Sequence, residues 1–90
     1  MHISKNKDAI FARIKRIAGQ VGAVERAIQS DAGCAETLHL VAAVRGAVAG
    51  LMDELVADHL QAHVAAPGLS DAERAAAAEE LTVLLRRHVR

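Results

Sequence analysis

Ninety residues allow one small domain; 52% of them are hydrophobic, yet much of that content is alanine and Phe11 is the only Phe, Tyr or Trp. Alanine buries little surface, so one copy has a thin core and needs a disulfide, a metal or a second copy to hold it, and the lone Cys34 excludes an internal disulfide. The net charge of zero excludes a uniformly basic or acidic chain, but residues 1–30 carry +4 and the remainder −4, which suggests one positively charged face or, more simply, a solvated helix surface.

A first helix is predicted over about residues 4–29. Ile10, Ile14, Ile17, Val21, Val24 and Ile28 recur at alternating spacings of four and three, which lays an apolar seam along one face. Gly19 and Gly22 lie within it, costing helix stability but admitting close approach of another helix. Ser30 to Gly33 reads as a turn. A second helix is predicted over about residues 34–65, where Leu38, Val41, Val48, Met52, Leu55, Val56 and Leu60 keep helical spacing. It would be roughly 48 Å long, too long to bury itself in so small a chain. These two helices are expected to form a long antiparallel hairpin. Ala66-Pro67-Gly68 breaks the pattern, and Ser70-Asp71-Ala72-Glu73 has the form of a capping box that opens a third helix, over about residues 70–89. Leu81, Leu84, Leu85 and His88 give that helix a short stripe, and Ala75 to Ala78 contribute helix propensity. No segment reads as a strand. The expected fold is therefore all-α, a three-helix protomer in a single domain spanning residues 1–90. With no leader pattern, no spanning segment and a free thiol suited to a reducing compartment, a cytoplasmic location is expected, without a membrane partner.

Cys34, His59 and His63 carry the chemistry. His59 and His63 are four positions apart, one turn along a shared helix face, a spacing that suits two imidazoles on one metal. The same pair also fits two polar residues near a fraying helix end. Cys34 precedes His59 by 25 positions. That is close to seven turns, so both face the same way, but about 37 Å apart along the axis. One chain cannot join them. A second copy packed antiparallel sets the start of one long helix beside the end of the other, and two-fold symmetry generates two identical sites. If the first two helices fold about residues 30–33, His2 comes near residue 62 and becomes a fourth candidate ligand. One thiolate with several imidazoles is a borderline donor set suited to Ni, Co, Zn or Cu, with Cu(I) disfavoured by the single sulfur. Binding needs a thiolate and neutral imidazoles, so affinity should fall in acid. His39 and His88 lack such company and read as surface and terminal residues.

Taken in order, Arg16-Ile17-Ala18-Gly19-Gln20-Val21, the lone Cys34, Ala42-Ala43-Val44-Arg45-Gly46 and Asp58-His59-Leu60 resemble the CsoR/RcnR/FrmR family of bacterial repressors. The resemblance covers nearly the whole chain and weakens after Pro67. It implies an antiparallel four-helix-bundle dimer, a disc-like dimer of dimers and no helix-turn-helix. It also implies repression of efflux or detoxification genes, with release from operator DNA when an effector binds. The effector positions of the family correspond to His2, Cys34, His59 and His63. The copper sensors have Cys at the position of His63, the formaldehyde sensors an acidic residue there and a proline at the processed N-terminus. The RcnR-type nickel/cobalt sensors read His, Cys, His, His, as this chain does. Two departures stand out: His2 directly follows Met1, which a bulky second residue tends to retain, so the amine is not assured as a ligand, and Ala62 replaces an acidic residue before His63. The resemblance thus points to Ni(II) or Co(II) as effector, with Zn(II) a competitor in vitro.

Arg13, Lys15, Arg16 and Lys5 or Lys7 lie on the first helix away from the Ile/Val seam, and Arg45 lies midway along the second. The resemblance supports Arg13, Arg16 and Arg45 as contacts to double-stranded operator DNA, to which Lys15 adds charge and Gln20 a hydrogen bond. With one aromatic residue, base stacking is not expected; contacts should be mostly to phosphate, salt-dependent, with preference set by DNA shape. Other readings are an aldehyde sensor with Cys34 as the reactive thiol, a metal hydrolase, and a metal-free structural hairpin. No second carboxylate or Gly-rich loop supports an enzyme, and none is expected. The bare hairpin leaves the matching phase of Cys34 and His59 to chance.

Overall fold

A computed structural model describes residues 6–88, which form α1 (Lys7–Gln29), α2 (Cys34–His63) and α3 (Asp71–His88), with no strand among the described residues. The all-α, three-helix expectation holds. Packing divides the described residues into two compact units, 6–54 and 55–88.

In the first unit, α1 and the leading part of α2 run antiparallel, with Arg13 of α1 beside Gly50 and Glu54 of α2. Helix α1 begins after Asn6, whose carbonyl accepts the Ile10 N–H at 2.8 Å. Asp8 in the first turn and Arg26 in the last complement the helix dipole. The C-terminus closes when the Ala32 N–H donates to the Ala27 carbonyl (2.9 Å) and the Asp31 N–H to the Ile28 carbonyl (3.3 Å). This paired closure puts Asp31 at φ 55, a left-handed position that glycine usually fills and aspartate is among the few others to tolerate. The turn expected at Ser30–Gly33 forms in this way. Gly33 then accepts from both the N–H and the hydroxyl of Thr37, at 3.0 and 3.2 Å, as α2 starts.

Burial divides the α1 seam. Ile10 and Ala27 are buried and Ile17 and Val24 half-buried, whereas Ile14, Val21 and Ile28 stay exposed, Ile28 at 65%. Helix α2 covers one flank of the stripe, the line through Ile10, Arg13, Ile17, Gln20, Val24 and Ala27, and not the centre expected from the isoleucines and valines alone. Helix α2 buries no residue fully, and Leu38 (68% exposed), Val41 and Val48 face outward. The apolar pattern is thus wider than one chain uses.

In the second unit, Leu81 of α3 is the buried anchor. Helix α2 stops at His63, two residues before the expected end. The N–H groups of Val64 and Ala65 both turn back to the Leu60 carbonyl (3.0 and 2.8 Å). The Arg74 guanidinium takes up the carbonyls of Val64, Ala66 (3.5 Å) and Leu69 (3.3 Å), which satisfies carbonyls of the loop that follows the helix. Gly68 sits at φ 85, where a side chain would strain the backbone.

The expected capping box is present. The Ser70 N–H donates to Glu73 Oε1 and the Glu73 N–H to Ser70 Oγ, both at 3.0 Å. These bonds to the charged form hold the Glu73 carboxyl below its usual pKa. A carboxylate whose pKa is lower folded than unfolded stabilises the fold above the unfolded value, and loses that contribution as pH falls through the folded value. Ser70→Ala is expected to cost about 1 kcal/mol at neutral pH and to flatten this acid limb. Denaturant melts of both proteins from neutral to acid pH check it; identical midpoints throughout would count against the cap.

Candidate functional site

His59 and His63 stand one turn apart at the end of α2, their ring centroids 5.0 Å apart and the planes tilted by 49°. Both are half-buried. The segment folds this way because Leu60 and its neighbours continue the helical pattern until Pro67, so positions 59 and 63 fall on one face. His59 Nε2 lies 3.4 Å from the Ala77 carbonyl of α3. With Nε2–H donating to that carbonyl, Nδ1 carries the lone pair that can bind a cation. Next to this pair, Asp58 Oδ2 is buried without a hydrogen-bond partner among the described residues. Asp58 stood out in the sequence only as part of a motif, since nothing in spacing reveals an unmet carboxylate.

Cys34 is a free, exposed thiol at the first residue of α2. Among the described residues, no three His, Cys, Asp or Glu side chains come together in a group able to hold a metal. The structure therefore joins His59 to His63 and does not bring Cys34 to them within one chain. His2 lies outside the described residues.

The candidate DNA-contacting residues differ in setting. Lys15, Arg16 and Arg45 are exposed on their helices. Gln20 is half-buried, with Oε1 sequestered and unpartnered. Arg13 departs most from the sequence expectation. It lies on the α1 face turned toward α2, with Nη2 3.9 Å from Glu54 Oε1. Gly50 and Glu54 were not singled out from the sequence; only the hairpin register sets them against Arg13.

The sequence profile described as metal-sensitive transcriptional repressor matches residues 6–87. The chain belongs to this family. It is a family of transcriptional repressors, not enzymes, and the resemblance read from the motifs is the right one. The RcnR transcriptional repressor of Salmonella arizonae is 36% identical over 85 residues, 94% of this chain and 90% of that protein. A Serratia marcescens protein described only as uncharacterised, in the bioA 5′ region, is 37% identical over 89 residues, 99% of this chain and 98% of that protein. Among solved structures, a Glu-to-His variant of the formaldehyde-responsive regulator FrmR from Salmonella enterica serovar Typhimurium matches with a TM-score of 0.89 and 40% identity, covering 99% of this chain and all of that one. Family relatives thus include both RcnR and a formaldehyde-responsive regulator. No helix of the described residues is long and apolar enough to cross a membrane.

Proposed function

We propose that this repressor responds to nickel or cobalt, and that residues 1–90 act as one sensing and DNA-binding domain in the cytoplasm. The observation that carries the reading is the His59–His63 pair, two imidazoles on one helix face with a carbonyl behind the first. Cys34 and His2 complete the donor set. One thiolate among imidazoles suits a borderline ion, and Ni(II) and Co(II) accept the further ligands that water or backbone can add; Zn(II) competes in vitro.

Cys34 must then come from a second copy. Positions 34, 38, 41, 45, 48, 52, 55 and 59 of α2 recur at alternating spacings of four and three, forming one register from Cys34 to His59. A second α2 laid antiparallel, with its two-fold between Arg45 and Val48, sets Cys34 opposite His59, Leu38 opposite Leu55, Val41 opposite Met52 and Arg45 opposite Val48. Apolar residues meet on either side of the central Arg45–Val48 pairs, and ligands meet at both ends. The resulting dimer pairs again into a dimer of dimers, which collects the basic faces of several α1 helices on one DNA duplex.

Lys15 and Arg16 bind operator phosphates from the outer face of α1; Arg13 and Arg45 add charge and Gln20 a hydrogen bond. Loading ties His2, just ahead of α1, to His59, His63 and the partner's thiolate. That re-aims the basic face and favours a state that fits DNA poorly. The effect requires different metal affinities in the two states. Repression ends, and efflux genes are expressed.

A Ni(II) and Co(II) titration of the reduced protein, followed by absorption, tests this reading beside Cys34→Ala and an operator-release assay. The operator comes from selection out of a randomised duplex pool. Thiolate charge-transfer bands absent from the variant, with DNA released as sites fill, are expected. Filled sites with unchanged DNA affinity would overturn it.

The exposed Cys34 thiol and the likeness to a formaldehyde-responsive regulator favour a second reading. Here the Cys34 sulfur adds to formaldehyde carbon to give a hydroxymethyl thioether. A nearby amine then displaces water to form a methylene bridge. Mass spectrometry separates the two: this route adds one carbon net after bridging, whereas metal binding adds nothing covalent. The His63 imidazole, where the resemblance puts an acidic residue in formaldehyde sensors, favours metal.

A further inference from the structure

Arg13 occupies an unusual place for a DNA-contacting cation. It lies between Ile10 and Ile17 on the α1 face turned toward α2, and its guanidinium rests over Gly50. A Cβ at Gly50 would come within 2.6 Å of Arg13 Nη1 and 3.8 Å of Cζ, so the missing side chain makes the groove that the guanidinium fills. One turn further along α2, Glu54 presents Oε1 at 3.9 Å from Nη2. Guanidinium binds carboxylate and phosphate through the same planar fork of N–H groups. A fork aimed at Glu54 is not aimed at a phosphate.

We propose that Gly50 and Glu54 form a latch that holds Arg13 in the hairpin, with the Glu54 carboxylate competing against DNA phosphate for one guanidinium. The inference rests on the reading of Arg13 as a DNA contact and adds a built-in competitor to it. The pair is loose: the two side chains are 34% and 44% exposed. A partly exposed ion pair of this kind shifts an equilibrium by no more than about fivefold. The latch therefore tunes the affinity of each contacting protomer and does not block it. A motion that changes how α1 lies on the leading half of α2 opens or closes it, because its two sides sit on different helices. Glu54 thereby couples the hairpin's internal packing to the charge that DNA meets.

The test uses the whole protein and a random-sequence DNA duplex at low salt, since phosphate contacts do not depend on sequence. Glu54→Gln is expected to tighten binding about two- to fivefold. Asp53→Asn removes the same charge from the neighbouring exposed position and should give a smaller gain. Gly50→Ala changes no charge and displaces only the flexible end of Arg13; it should tighten binding about as much as Glu54→Gln, with unchanged helical content. In an Arg13→Ala background both gains should vanish, as coupling through Arg13 requires. Equal gains from Glu54→Gln and Asp53→Asn, or gains that persist without Arg13, overturn the latch and leave the DNA-binding role standing. An Arg13→Ala protein that binds as tightly as the wild type removes the role of Arg13 in DNA binding, and the latch with it.

Discussion

Leu38→Asp is expected to break the protein into single copies and to lower its stability sharply. In one chain Leu38 is exposed on α2, and a carboxylate at an exposed helix position changes stability by only about 0.5 kcal/mol. In the proposed dimer the same position lies opposite Leu55, so each copy carries a carboxylate into the apolar part of the seam, each with a desolvation penalty of several kcal/mol. The dimer should lose on the order of 5 kcal/mol or more, enough to undo an assembly of small helices. The isolated chain is poorly able to survive that loss, because its buried apolar residues among those described are only Ile10, Ala27 and Leu81. Sedimentation velocity and thermal melts read both effects. Ala12→Asp, on the side of α1 away from both apolar lines, introduces the same charge and should cost under about 1 kcal/mol with the assembly intact. A Leu38→Asp protein that sediments and melts like the wild type would show that the α2 seam is not an interface.

This prediction depends on a distinction that sequence alone blurred. The isoleucines and valines of α1 read as one seam, because spacings of four and three describe any broad apolar stripe on a helix. Which flank faces inward is decided by α2, and α2 chose the side that carries Arg13 and Gln20. Small residues allowed it: Gly50 leaves room for a guanidinium that no larger side chain would accommodate. Periodicity does not announce this, since Arg13 and Gln20 score as polar. Helix ends, by contrast, were legible wherever a local signal existed. The Ser70–Glu73 box and the turn at Ser30–Gly33 form where the residue types put them, because their hydrogen bonds close within a few residues. The α2 end comes two residues earlier than the apolar pattern predicts, because the carbonyls of the loop after it are met by Arg74, which approaches from α3. The His59–His63 pair was legible from i, i+4 spacing alone. The orphaned Asp58 oxygen and the Arg13–Glu54 contact were not, as both depend on what packs nearby.

A mixture of two inactive variants should recover metal binding. Cys34→Ala lacks the thiolate and His63→Ala lacks one imidazole, so each alone should lose more than about a hundredfold in Ni(II) or Co(II) affinity, a ligand counting for at least as much as the groups that orient it. If each site takes Cys34 from one copy and His59 with His63 from the other, a mixed dimer holds one site with both defects and one with neither. Random pairing of equal amounts makes half the dimers mixed, so about a quarter of all sites should be intact. The two proteins are unfolded together, refolded with reductant, and titrated with Co(II). Thiolate charge-transfer absorption should return at about a quarter of the wild-type amplitude, with wild-type affinity for those sites. Sites built within one chain give a different result, because every chain then carries a defect and mixing restores nothing. No recovery despite proven subunit exchange would remove the shared site, and with it the reason for Cys34 and His59 to hold the same phase on α2 from opposite ends.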